Sequence, residues 1–213
     1  MNKKNLFVIG DSISIQYGPY LKKMVNGVFE YDRKKGAEQD LKDLDNPVGA
    51  NGGDSRMVLN FLKEQSDNKV NYNILTLNCG LHDIKKDKKT GRNQIEIDEY
   101  EENIKEISNL AKKMAHDVIW VSTTPVDDYL HNILYSQCID RYNKDVIEYN
   151  NAANYIMNEN SVPIIDLYSF TKNLGDSIYC DHVHYVEEVR ALQAAFIAGG
   201  IYGIHKIFRN VTK

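Results

Sequence analysis

Short apolar runs rich in β-branched residues recur along the chain and are bounded by turn residues. Such runs predict strands, and they occupy residues 6–9, 73–79, 117–123 and 162–167. Three of the four runs are near-continuous rather than alternating, which is typical of strands covered on both faces of a sheet. The pattern therefore favours a sheet buried on both faces over a sheet with one solvent-exposed face.

Between these runs, apolar residues recur at helical spacing and predict helices around residues 57–62, 100–114, 142–156 and 186–196. Asp98 is a candidate N-cap of the second of these helices, and Pro19 predicts the first turn of an earlier helix near residues 18–28. Strands that alternate with helices indicate right-handed βαβ units and a parallel sheet. In such sheets ligands bind beyond the carboxyl ends of the strands, so we expect the functional residues there.

Two polar stretches fit this alternation poorly. Residues 32–50 are charged throughout, and residues 84–97 contain four lysines and an arginine. Both stretches predict surface loops, and a mobile flap near the site is the alternative for the second.

Composition narrows the class of protein. The chain has 213 residues and a net charge of -4, which argues against a general nucleic-acid-binding protein. Cys79, Cys138 and Cys180 are too few for a disulfide scaffold and fit a reducing compartment. The first apolar run is too short for a signal peptide, and no run approaches the ~20 residues of a membrane span. We expect one domain over residues 1–213, a cytoplasmic location, and neither a nucleic-acid nor a membrane partner.

The residues after the strands carry candidate chemistry. Gly10-Asp11-Ser12 follows the first strand, where a strand-to-helix turn can expose a nucleophilic serine. A serine needs a base, and a histidine base needs a partner that fixes its tautomer. Asp181-His182-Val183-His184, shortly before the last helix, offers an Asp three residues before a His.

Four blocks in order make the sequence similar to the SGNH hydrolases, also called the GDSL esterase/lipase family. The blocks are Gly10-Asp11-Ser12, Gly53-Asp54-Ser55, Gly80-Leu81-His82-Asp83 and Asp181-x-x-His184. The resemblance spans residues 5–200. It implies an α/β, three-layer, flavodoxin-like fold with five parallel strands. It implies no metal and no organic cofactor.

The resemblance also implies roles for individual residues. Ser12 would be the nucleophile, His184 the general base and then acid, and Asp181 the residue that orients His184. The oxyanion hole would consist of the backbone N–H groups of Ser12 and Gly53 and the side chain of His82.

His82 stands where the family has an asparagine. An asparagine amide always offers N–H donors, whereas a neutral histidine offers one N–H on a nitrogen that its tautomer decides. Losing one oxyanion donor typically costs about 10²–10³ in rate, so a catalytically impaired binding protein is an alternative. Asn78, two residues before Gly80, is a further candidate amide donor.

Other interpretations of these residues remain open at this point. Ser55 is expected to cap the helix that carries residues 57–62 rather than to act as a nucleophile, and Asp11 and Asp54 are expected to hold loops through side-chain to backbone hydrogen bonds. Asp181, His182 and His184 could instead bind a metal with help from His82 and Asp83. Cys180, next to Asp181, is expected to be a buried thiol rather than a nucleophile.

The predicted activity is hydrolysis of short-chain, acetyl-type esters through an acyl-enzyme. A carbohydrate O-acetylesterase is the leading hypothesis, with a small-molecule or carbohydrate ester as the partner. Four tyrosines near predicted loops are candidates for stacking on a sugar: Tyr17, Tyr129, Tyr135 and Tyr185. A thioesterase, a lysophospholipase and an acyltransferase are the alternatives within the family.

Overall fold

A five-stranded parallel sheet lies at the centre of the computed structural model, which describes residues 3–36 and 43–211 and the side chains among them up to residue 205. The strands, in chain order, are β1 (Lys4–Ile9), β2 (Phe29–Arg33), β3 (Tyr72–Leu77), β5 (Ala115–Val121) and β7 (Ile164–Ile165). Their order across the sheet is β2-β1-β3-β5-β7. The expected five-stranded parallel α/β fold is confirmed.

A second, two-stranded antiparallel sheet pairs β4 (Lys86–Asp87) with β6 (Ile139–Asp140). This pairing attaches the lysine-rich stretch 84–97 to the segment that follows β5. The same stretch is anchored at both ends by the buried side chains of Ile84 and Ile95, while its middle is exposed as expected of a surface loop.

In the described residues, six α-helices cover the sheet: α1 (Ser12–Val25), α2 (Ser55–Asp67), α3 (Ile97–Met114), α4 (Asn143–Glu159), α5 (Leu167–Lys172) and α6 (Glu187–Val211). α1 packs against α6, whereas α3 packs between α2 and α4, so the sheet has a helical layer on each side. A single π-helical turn spans Leu130–Leu134. No helix in the described part of the chain is both long and apolar enough to cross a bilayer.

Two predictions of helix starts are wrong. α1 begins at Ser12, directly after the turn that ends β1, so Pro19 lies inside the helix rather than in its first turn. α3 begins at Ile97 after Glu96, and Asp98 is a first-turn residue that caps nothing. In both cases the helix begins before the residue that was expected to mark its start: Asp11 caps α1 directly after the β1 turn, and Glu96 occupies the N-cap position of α3.

β2 was not among the predicted strands. It has the sequence FEYDR, and only Phe29 is fully buried. An edge strand pairs on one side only and has less apolar surface to cover, so its sequence resembles that of a loop. Of the expected loop 32–50, residues 37–42 lie outside the described residues.

The chain order of the strands locates the site. From β1 the chain moves outward to β2 and then returns past β1 to β3, so the connections diverge at the carboxyl ends of β1 and β3. Ligands in open parallel sheets bind where the strand order reverses in this way. The first block follows β1 and the third follows β3, which places both at this crevice.

Candidate active site

Ser12 is the first residue of α1, three positions beyond the end of β1. Asp11 caps the helix through its Oδ1 atom, which accepts a 3.0 Å hydrogen bond from the backbone N–H of Ile13. Gly10 permits the tight turn, since a Cβ atom there would come within 2.9 Å of Cβ of Ser14. The hydroxyl of Ser12 is thus held at a helix N-terminus, with only 2% of the residue exposed.

His184 lies between Ser12 and Asp181. Its Nε2 atom is 2.8 Å from Oγ of Ser12, and its Nδ1 atom is 2.8 Å from Oδ2 of Asp181. Because an ionised carboxylate only accepts hydrogen bonds, Nδ1 carries the hydrogen and Nε2 is left to accept from the serine hydroxyl. The structure therefore brings the three predicted residues together in the order that nucleophile activation requires.

Asp181 is held by its own backbone turn. Its Oδ1 atom accepts hydrogen bonds from the N–H groups of Val183 and His184, at 2.9 and 2.7 Å. Partial burial favours the neutral acid, but the bond to the His184 ring and these two N–H groups outweigh it, and the pKa of Asp181 lies below its ordinary value. Asp181 is accordingly a stable anionic partner for the imidazole.

The second block is fixed against the first by backbone contact. The N–H of Gly52 donates a 2.9 Å hydrogen bond to the carbonyl of Gly10. A Cβ atom on Gly52 would lie 3.1 Å from that carbonyl oxygen, so the two glycines allow the loops to touch. This contact brings residues 50–54 to the turn that carries Ser12.

Gly53 differs from what was expected of it. Its φ angle is +70°, a left-handed conformation that favours glycine. Its N–H, however, donates a 2.9 Å hydrogen bond to Oδ1 of Asn51. The N–H that the resemblance assigns to the oxyanion hole is therefore engaged by a side chain in this structure, whereas the N–H of Ser12 makes no hydrogen bond to the described residues.

His82 is buried in the third block with a ring that stays uncharged. Burial and then the nearby cations Lys85 and Arg141 hold its pKa well below the ordinary value. Its Nδ1 atom is buried and has no hydrogen-bond partner among the described residues. An unpaired acceptor costs less than an unpaired donor, so the favoured tautomer carries its hydrogen on Nε2. His82 thus offers one N–H donor.

Asn78 is not a spare donor. Its Nδ2 atom donates to the carbonyl of Val121 at 2.9 Å and to Oγ1 of Thr123 at 3.3 Å. Both amide hydrogens are committed to the neighbouring strand β5 and the residues after it. Asn78 ties β3 to β5 and leaves the third oxyanion position to His82.

Ser55 is not the cap of α2, which corrects the sequence-based expectation. The cap is Asp54, whose Oδ1 atom accepts a 3.0 Å bond from the N–H of Met57. Ser55 is the first helical residue: its N–H donates to Oδ1 of Asp83 and its Oγ accepts from Asn103. The expectation that Asp11 and Asp54 hold loops through backbone N–H groups is confirmed.

Asp83 is fully buried and carries one unpaired oxygen. Oδ2 has no partner among the described residues, and burial raises the pKa of Asp83 to about 7 despite the hydrogen bonds from Ser55. The Asp83 carboxyl therefore titrates near neutral pH. Its position links the second and third blocks.

A histidine pair lies beside the site. Nδ1 of His182 is 2.8 Å from Nδ1 of His131, and Nε2 of His182 is 3.1 Å from Oδ2 of Asp45. Asp181, His182 and His184 have ligand atoms within 4.8 Å of one another. However, both ring nitrogens of His182 and both of His184 already have hydrogen-bond partners. The geometry favours the serine interpretation of this block over a metal centre.

Arg141 was missed by sequence reasoning. Its side chain is buried, and Nε donates a 2.9 Å hydrogen bond to the carbonyl of Leu81, next to His82. The two residues are far apart in the sequence, and no spacing links them. Only the fold brings this cation to the third block.

The remaining candidates separate by burial. Tyr17 and Tyr185 are core residues, and Tyr129 and Tyr135 are exposed. The expectation that Cys180 is buried is wrong: it is exposed and free, and its sulfur accepts a hydrogen bond from Arg190 rather than facing a base. Cys79 is buried, and burial raises the pKa of its thiol well above the ordinary value. Neither thiol is placed as a nucleophile.

Solved structures similar to this one are hydrolases. A lipase/acylhydrolase from Enterococcus faecalis has a TM-score of 0.67 at 17% identity, covering 94% of this chain and 96% of that one. A GDSL-like lipase from Bacteroides thetaiotaomicron has a TM-score of 0.65 at 17% identity, covering 94% and 89%. An acetylxylan esterase from Geobacillus stearothermophilus has a TM-score of 0.63 at 15% identity, covering 91% and 92%.

Structural similarity at such low sequence identity shows a shared fold. No curated protein sequence matches the chain. The family model of the GDSL-like lipase/acylhydrolases, in contrast, matches residues 6–197, which include all four blocks. The chain therefore belongs to the GDSL-like lipase/acylhydrolase family and is a hydrolase acting on ester bonds.

Proposed function

We propose that the protein is a serine esterase that removes short acyl groups, chiefly acetyl, from carbohydrates. The observation that carries the chemistry is the chain of contacts from Ser12 through His184 to Asp181, with 2.8 Å on each side of the imidazole. Geometry of this kind activates a hydroxyl for attack on a carbonyl carbon.

The reaction proceeds in two halves. Oγ of Ser12 bonds to the ester carbonyl carbon while its proton passes to Nε2 of His184. The resulting imidazolium, stabilised by Asp181, returns the proton to the departing alcohol as the C–O bond breaks, leaving an acyl-serine. A water molecule then attacks the acyl carbon with His184 as base, and the free acid leaves as Ser12 regains its proton.

The tetrahedral oxygen anion needs donors placed before the reaction. The Ser12 N–H and the Nε2–H of His82 are the donors we assign. Gly53 remains the third donor in this proposal, and its N–H must turn from Oδ1 of Asn51, to which it donates in this structure, toward the anion.

Two observations support a preference for carbohydrate acetyl esters. Tyr129 and Tyr135 are exposed near the π-helical turn, after β5, where aromatic faces can stack on sugar rings. One similar structure is that of an acetylxylan esterase. Both observations agree with the proposal without fixing the sugar.

The nucleophile is tested by comparing two serines in identical tripeptides. We expect wild-type protein and Ser55→Ala to react with a fluorophosphonate probe and to hydrolyse p-nitrophenyl acetate. Ser12→Ala should lose the label and essentially all the hydrolysis. Equal hydrolysis by wild type and Ser12→Ala would rule out the proposed function.

A long-chain acyl hydrolase is the second candidate. Ile133 and Leu134 are more than half exposed on the same turn as Tyr129, and exposed apolar side chains near an ester site suit a lipid acyl chain. A series of p-nitrophenyl esters separates the two: kcat/KM highest at acetyl supports the first candidate, and a maximum at eight carbons or longer supports the second.

A further inference from the structure

Arg141 is a buried cation with no carboxylate in direct contact, although the charges of Asp45 and Asp11 act on it from a distance. Only 2% of the residue is exposed, and no carboxylate of the described residues forms an ion pair with it. Buried charges in proteins are normally paired, because an uncompensated charge in a low-dielectric interior is costly. Arg141 therefore lacks the partner that its burial calls for.

The hydrogen bonds of Arg141 leave most of its donors unused. Nε donates to the carbonyl of Leu81, and Nη1 and Nη2 make no hydrogen bond to the described residues. A guanidinium has five N–H donors in a planar fork that matches a carboxylate or a phosphate. One bond to Leu81 positions the side chain and keeps the fork free.

The surroundings of Arg141 place that fork at the active site. Leu81, its hydrogen-bond partner, directly precedes His82, the proposed oxyanion donor. Burial raises the pKa of Asp11, the residue before Ser12, and the positive charge of Arg141 is among the groups that oppose this rise. The cation thus lies between the first and third blocks.

A second cation adjoins the first. Lys85 is partly buried on the same loop as His82, and burial followed by the charge of Arg141 lowers its pKa to about 8. Its Nζ donates to the backbone carbonyl of Asp45 at 3.2 Å, while the Asp45 carboxylate is taken by His182. The two like charges therefore lie within electrostatic range of each other, and neither forms an ion pair with a carboxylate of the described residues.

We propose that Arg141 and Lys85 form a subsite for a negatively charged group on the sugar, a carboxylate or a phosphate, beside the ester that Ser12 cleaves. The inference rests on the proposed function, which it narrows from carbohydrate esters to esters of acidic sugars. An anion at this point would fill the free guanidinium fork and relieve the repulsion between the two cations.

Binding to a hydrolysis-deficient protein tests the subsite separately from catalysis. In the Ser12→Ala background, calorimetry compares methyl β-glucuronide, glucose 6-phosphate and methyl β-glucoside. We expect one anionic sugar to bind about 10-fold or more tightly than the neutral one, as charge-assisted hydrogen bonds allow. Tighter binding of methyl β-glucuronide would indicate a carboxylate ligand, and tighter binding of glucose 6-phosphate would indicate a phosphate ligand.

Charge-removing variants locate the effect. Lys85→Gln and Arg141→Gln, each in the Ser12→Ala background, should bring the anionic-to-neutral affinity ratio close to one. Lys89→Gln, an exposed lysine of the same loop, makes the same change in net charge and should keep the ratio. Circular dichroism checks folding; should Arg141→Gln unfold, Lys85→Gln still decides.

Three outcomes are decisive. Equal affinity for the neutral and both anionic sugars overturns the subsite. An equal loss in Lys85→Gln and Lys89→Gln also overturns it, because general charge would then explain the preference. If wild type hydrolyses no ester but the anion preference persists and depends on Lys85, the proposed function fails and the subsite stands.

Discussion

In the proposed oxyanion hole, stabilisation of the anion depends on one side chain, that of His82. A buried, neutral imidazole with an unpaired Nδ1 offers a single N–H, and burial prevents a second proton from binding at neutral pH. The donor is therefore fixed by tautomer rather than by charge. An asparagine at this position would present the same kind of donor without that dependence.

This view of His82 predicts a clear order of activities. We expect His82→Asn to retain most of the kcat for p-nitrophenyl acetate and His82→Ala to lose about 10²-fold or more. His116→Ala, at the exposed start of β5, serves as the control. If His82→Ala matched wild type, His82 would have no place in the oxyanion hole.

Asp83 predicts how stability changes with pH. In the unfolded chain its carboxyl titrates near 4, whereas in the folded protein burial raises its pKa to about 7. Between these values the folded protein holds a proton that the unfolded chain has released. The contribution of Asp83 is fully present below pH 4 and is lost as the pH rises through 7.

The measurement compares melting temperatures of wild type and Asp83→Asn from pH 5 to pH 8. Asparagine keeps an acceptor for the Ser55 N–H but never ionises. We expect the variant's melting temperature to rise relative to that of wild type across this range. Asp176→Asn, at an exposed position, should show no such trend; a flat difference for Asp83→Asn would refute the interpretation.

Residue roles were predictable where the pattern is local. Asp181 and His184 are three residues apart, and their contact follows from a single backbone turn. The bond from Arg141 to Leu81 and that from the Gly53 N–H to Asn51 were not predictable. The first joins distant segments, and the second depends on a side-chain rotamer that sequence spacing does not specify.

At the scale of elements, helix caps set the position of the site. Asp11 begins α1 and Asp54 begins α2, so each of the first two blocks ends in a capping aspartate followed by a serine. The two serines nevertheless differ in environment: Ser12 faces His184, and Ser55 faces Asn103 and Asp83. The two identical tripeptides therefore differ only in the residues that the fold places next to each serine.

Removing the cap of α2 should destabilise the protein. Asp54→Ala loses the acceptor for the Met57 N–H, and we expect about 1 kcal/mol less unfolding free energy than in Asp54→Ser, which keeps a capping oxygen. Both variants lose the bond from Gln94 to Oδ2, so the comparison isolates the cap. Urea unfolding measures the difference, and equal stabilities would show that Oδ1 contributes nothing.

Buried elements were easier to predict than exposed ones. Runs such as Leu6–Ile9 lie in the middle of the sheet, where burial on both faces leaves a continuous apolar sequence. α1 starts earlier than predicted because Asp11 and the sheet, rather than the position of Pro19, determine where the helix begins. β2 was not predicted as a strand because its charged residues resemble a loop sequence.

At the scale of the whole molecule, the strand order explains why blocks spread over the sequence meet. β1 and β3 are neighbours, and the chain leaves them in opposite directions. The crevice at their carboxyl ends receives the first and third blocks directly, and the Gly10–Gly52 contact adds the second. The parallel sheet was predictable from the alternation of elements, and the strand order was available only through the family resemblance.

The two edge strands of the sheet also affect the tendency of the protein to aggregate at high concentration. β7 offers only Ile164 and Ile165, directly after Pro163, which has no N–H to donate. β2, at the other edge, carries Glu30, Asp32 and Arg33. A foreign strand would find either a very short template or a charged one, so both edges resist the strand-by-strand growth that leads to aggregation.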